Sequence, residues 1–77
     1  MFKGEFEIVF KEHAIFRADG RRIPREVVEA TIQTGEFTRF GRRRVKISRQ
    51  FDVYKVTCVG EIIGQCIRII TITGGKT

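Results

Sequence analysis

The chain has 77 residues, with 15 Lys and Arg against nine Asp and Glu, a formal net charge of +6 and a sequence pI near 10.0. That length holds one small hydrophobic core and excludes a second domain. Apolar residues make up 42% of the chain, which excludes a disordered polymer, and no run of about 18 uncharged apolar residues is present to span a bilayer.

Leu, Asn and Trp are absent, while Ile, Val and Thr contribute 11, 7 and 7 residues. Stiff β-branched side chains favour strands over helices, so a β-rich domain is expected. The N-terminus carries no signal-peptide pattern, and two cysteines are too few for a disulfide framework. The expectation is a reducing, cytoplasmic setting with free thiols and no membrane contact. One His and two Cys make at most a poor zinc site, so no metal or cofactor is expected. Charge is polarised along the chain. Residues 1–36 carry six basic and seven acidic side chains, and residues 37–77 carry nine and two. A basic half of this kind suits nucleic acid or an acidic protein.

In chain order, FEIVF alternates, with Phe6, Ile8 and Phe10 on one face and Glu7 and Val9 on the other, as in a strand. From residue 11 to about 18 the period changes: Phe10, Ala14 and Ala18 fall at helical spacing with Ile15 alongside. A second helix follows Pro24, which is tolerated at a helix start because its missing N–H would be unpaired there. Ile23, Val27 and Thr31 form one stripe, widened by Val28 and Ile32. Glu26 and Glu29 lie near the positive end of the dipole, and Gly35 is read as a left-handed stop.

The remainder reads as strands. Residues 37–40 form a short piece. Residues 43–51 alternate, with Val45, Ile47 and Phe51 inward and Arg44, Lys46, Ser48 and Gln50 outward. Residues 53–59 follow, Gly60 and Gly64 bracket a turn, and CIRIITIT at 66–73 is apolar on both faces, as a central strand should be. Pairing Val59 with Cys66 would place Cys58 opposite Ile67, with the two thiols on opposite faces. The predicted fold is α+β, in the order β-α-α-β-β-β with one further strand: a twisted antiparallel sheet with two helices packed on one face. Residues 1–77 are one domain, with its core at about 4–73 and a flexible tail at 74–77.

The closing GGKT imitates a phosphate-binding loop, but Ile70 stands where that loop needs its first Gly, and no helix follows. The basic run is denser. Arg39, Arg42, Arg43, Arg44, Lys46 and Arg49 fall within a span of 11 positions, and guanidinium forks match phosphate oxygens bidentately. Phe40, Phe51 and Tyr54 are interleaved with them as candidate base-stacking rings, although Phe51 also continues the apolar face of its strand. His13 is the one side chain expected to titrate near neutrality, and Arg17 lies one helical turn on. A proton carrier beside a phosphate-holding cation is a minimal set for RNA cleavage. The competing reading is a structural His packed at a helix–sheet seam.

The segment HAIFRADGRRIPREVVE resembles the signature of the small domains known as domain of unknown function 4258. His13, Ala14, Arg17, Arg21, Ile23, Val27 and Glu29 fall on that pattern without a gap. GRRRVKI, VYKVTCV and IRIITIT are similar to the family's closing strands, and the resemblance covers residues 10–73. Arg22 stands where the family usually has Gly, and Pro24 where it usually has Ser or Thr. The resemblance implies a fold similar to the RelE and BrnT toxins, which are ribonucleases paired with antitoxins. It implies a metal-independent ribonuclease toxin with His13, Arg17 and Arg21 as catalytic residues, RNA as substrate and an acidic antitoxin-like partner. The alternatives are a non-catalytic binding module on the same fold and a domain that forms a homodimer through an exposed strand edge.

Overall fold

The structure is a computed structural model and describes residues 1–12 and 23–76, without the side chain of Lys76. Six strands form one sheet: β1 (Phe2–Lys3), β2 (Phe6–Phe10), β3 (Glu36–Phe40), β4 (Arg44–Phe51), β5 (Tyr54–Ile63) and β6 (Cys66–Lys76). Their spatial order is β1-β2-β6-β5-β4-β3. One helix, α1 (Arg25–Thr34), is present among the described residues and packs against β4 and β5.

The predicted antiparallel sheet carrying two helices is corrected to a mostly-sheet fold, a six-stranded curled half-barrel. Two features produce the difference. β2 lies parallel to β6, with Ile8 beside Ile67 and Phe10 beside Ile69, so the first long strand is inserted between β1 and β6. A register shift between Val59 and Gly60 leaves Ile70 as the extra residue of a bulge in β6, and bulges bend a sheet and increase its twist. The predicted helix over residues 11–18 falls almost wholly outside the described residues. β6 also runs on through Gly74 and Gly75 to Lys76, paired with β5 as far as Tyr54, so residues 74–76 are strand rather than a loose tail.

The concave face of the sheet carries the core. Ile8, Val45, Ile47, Val56, Cys58, Ile67, Ile69 and Ile72 are buried there, and α1 closes over them with Val28, Thr31 and Ile32. Thr31 is fully buried, and its hydroxyl donates to the Val27 carbonyl at 2.8 Å, so that hydroxyl is satisfied. Pro24 sits one position before the helix, with its carbonyl accepting from Val27 and Val28 N–H.

Gly35 is not the left-handed stop the sequence suggests, since its φ is −75°. It is needed for close approach instead. Its N–H donates to the Thr31 carbonyl at 2.8 Å, and a Cβ there would collide with that oxygen and lie 2.6 Å from the Ser48 carbonyl oxygen. Gly60, read as a turn residue, lies within β5 at the bulge, where a Cβ would stand 2.8 Å from Ile67 Cγ2. The β5–β6 turn is Gly64–Gln65, flanked by the pair Ile63–Cys66. That register puts Cys58 opposite Ile72 and Val59 opposite Thr71, which differs from the predicted pairing. The two free thiols still face opposite ways, Cys58 into the core and Cys66 to the convex face.

Candidate nucleic-acid interface

The basic run, continuous in sequence, is divided by the strand pleat. Opposed residues in an antiparallel pair share a face. β3 pairs with β4 as Thr38–Lys46, Arg39–Val45 and Phe40–Arg44. Val45 is buried on the concave side, so Arg39 lies on that side, at the outer edge of the sheet. Arg44 and Lys46 lie on the convex side and are exposed. Arg42 and Arg43 occupy the connecting turn after Gly41, whose φ of 65° allows the tight reversal. The turn is anchored, because the Arg43 carbonyl accepts from Ile62 N–H at 2.6 Å.

Arg49 does not join this group. It shares the concave face with Val45 and Ile47, opposite Val56. Its Nη1 donates to Thr34 Oγ1 at 2.8 Å, and its Cζ lies 4.7 Å from the centroid of the Phe51 ring. Phe51 in turn stacks on Tyr54, with ring centroids 5.7 Å apart and planes 21° apart. Of the three aromatic candidates, those two are engaged with one another beside Arg49. Phe40 remains, 45% exposed at the end of the edge strand and directly across from Arg44.

The strand register adds two cations that the run of basic residues did not reveal. Lys55 opposes Gln50, and Arg68 opposes Glu61, all on the convex face. Alternation alone could assign each a face, but only the pairing brings them to the same surface as Arg44 and Lys46. Glu61 lies between two arginines: it opposes Arg44 on one side, and on the other its Oε2 is 3.9 Å from Arg68 Nη2. Arg39, Arg42, Arg43, Arg44 and Lys46 form no ion pair among the described residues. Ser48, expected to be solvent-facing, is buried where β4 passes beneath Gly35.

His13, Arg17 and Arg21 lie outside the described residues. Among the described residues there is no group of three His, Cys, Asp or Glu side chains arranged to hold a metal, and no helix long and apolar enough to cross a membrane. No family model, curated protein or solved structure matches the chain.

Proposed function

We propose that the chain is a nucleic-acid-binding module whose contact element is the β3–β4 hairpin. The observation that carries this reading is the set of cations at one end of the sheet, Arg42 and Arg43 in the turn with Arg44 and Lys46 beside it: all are exposed and none forms an ion pair among the described residues, Glu61 opposite Arg44 bridging to Arg68 instead. Unneutralised cations on a hairpin whose strands are paired and whose turn is held by the Ile62 N–H on the Arg43 carbonyl suit a polyphosphate, because binding releases counterions and guanidinium forks match phosphate oxygens. The excess of basic over acidic residues in positions 37–77 extends the favourable field beyond the hairpin.

The ribonuclease reading depends on His13, Arg17 and Arg21, and the fold that the family resemblance implied has two helices on an antiparallel sheet. The binding reading needs neither. Titrating oligonucleotide binding against salt tests it. About four phosphate contacts on a single strand give a log-log slope of roughly −3, and replacing Arg43, Arg44 and Lys46 by Ala should flatten it. A slope near zero for the unaltered protein would remove the reading. RNA cleavage that persists with chelator and is abolished by His13→Ala would move the assignment to the ribonuclease.

A further inference from the structure

We infer that the convex face of this hairpin is built for single strands, with Phe40 as the surface on which a base stacks and Arg44 and Lys46 holding the flanking phosphates. This deepens the nucleic-acid reading and rests on it. A phenyl ring left 45% exposed at a sheet edge gains little from folding. Its directly opposed neighbour is Arg44, and Lys46 follows two residues on along the same face, roughly 6.8 Å further along the strand. The two cations therefore reach separate phosphates, while the ring directly across from Arg44 offers a flat apolar surface beside the first of these backbone contacts. Phe51 and Tyr54 are occupied by each other and by Arg49, and Phe37 lies on the opposite face beside Ile47.

Bases in a duplex are stacked on one another and present only their edges, so an outward ring on a β-surface cannot lie against them. A single strand presents its base faces, and stacking on an aromatic side chain tolerates any base. An acidic peptide would satisfy the cations but would leave Phe40 without a matching face.

The test uses the full chain and fluorescence anisotropy. The probes are a labelled oligo-dT, an oligo-rU of the same length and a duplex of that length, with polyphosphate and polyglutamate as base-free competitors. The single strands should bind more tightly than the duplex and resist both competitors. Phe40→Ala should weaken single-strand binding roughly 5- to 100-fold without changing the salt slope, because the ring carries no charge. Phe40→Tyr should restore it. If Phe40→Ala binds like the unaltered protein, or if the duplex binds as tightly as oligo-dT, the single-strand inference fails while salt-dependent binding still supports the hairpin; if polyglutamate binds as tightly as oligo-dT, the nucleic-acid reading fails with it in favour of an acidic protein. If no probe binds in a salt-dependent way, the hairpin reading itself fails.

Discussion

Arg49 reaches from β4 to the last residue of α1, where its Nη1 donates to Thr34 Oγ1 at 2.8 Å. The last turn of α1 contains no basic residue of its own. Arg49 therefore places a cation from the sheet at the negative end of the helix dipole. The Thr34 hydroxyl in turn donates a hydrogen bond to the Ala30 carbonyl at 2.7 Å, and the guanidinium lies over the Phe51 ring. The contact is an interlock between helix and sheet, made by a residue that the sequence groups with the phosphate-binding cations.

Arg49→Ala should accordingly lower stability by about 1 kcal/mol, the sum of a modest hydrogen bond and an exposed cation–π contact. In a domain of this size that corresponds to a fall in Tm of roughly 4–8 °C. The salt slope of oligonucleotide binding should stay as it is, whereas Arg44→Ala should reduce it by about 0.7. A double-mutant cycle with Thr34→Ala should return a coupling energy near that of one hydrogen bond. Additive effects would show that the Arg49–Thr34 contact contributes nothing, and a salt slope lowered by Arg49→Ala would place Arg49 with the binding residues.

Local periodicity read the faces of the strands well. Phe6, Ile8 and Phe10 against Glu7 and Val9, and Val45 and Ile47 against Arg44 and Lys46, follow from a two-residue repeat that the pleat enforces. The stripe on α1 was equally legible, since Val28, Thr31 and Ile32 are its buried residues. What could not be read was non-local. The parallel docking of β2 against β6 joins residues about 60 positions apart, and no local repeat encodes a partner. The bulge at Val59 and Gly60 depends on two strands together. Arg49 illustrates the same gap at the site: its face was readable as that of Val45 and Ile47, but its tie to Thr34 required the helix to be in place.

Gly35→Ala should destabilise the fold by about 1–3 kcal/mol. The added methyl would meet two backbone carbonyl oxygens, those of Thr31 and Ser48, and neither can swing aside as a side chain could. Gly75→Ala provides the contrast. A Cβ at that position meets nothing within 4 Å and its φ is not in the left-handed region, so that variant should be neutral or slightly stabilised by reduced chain entropy in the unfolded state. Chemical denaturation of the two variants reports the difference directly. Equal midpoints would show that the seam between α1 and β4 is loose.

Ile32 and Thr31 are adjacent on α1 and both fully buried, yet they should respond differently to substitution. Ile32→Ala opens a cavity against the sheet and should cost about 2–5 kcal/mol, a large share of the stability of a small domain. Thr31→Val keeps the volume and removes a hydroxyl whose acceptor, the Val27 carbonyl, retains its helical N–H partner. That change should stay within about 1 kcal/mol. A Thr31→Val variant as unstable as Ile32→Ala would mean the hydroxyl has a further role in fixing the helix.

The two cysteines should behave as chemically distinct groups. Cys58 faces the core, and burial pushes its thiol up from 9.0 to about 12, because a thiolate there would lose its hydration. Cys66 is partly exposed on the convex face, its Sγ 3.9 Å from Glu7 Oε1. At pH 8 iodoacetamide should modify Cys66 and spare Cys58 until the protein is unfolded. Their opposite orientations also prevent a bridge, so mass spectrometry of oxidised protein should find no intramolecular disulfide. The pH dependence follows from the same burial. The unfolded chain releases the Cys58 proton near 9.0, whereas the folded protein holds it to about 12. Below pH 9 both states keep the proton and the stabilisation is complete. As pH rises from 9 towards 12, the unfolded state binds fewer protons and gains stability relative to the fold. Denaturation midpoints should therefore fall across that window, and Cys58→Ala, compared with its own value at pH 8, should fall less. An equal decline in both proteins would show that Cys58 does not carry the effect, and rapid labelling of Cys58 in the folded state would contradict its place in the core.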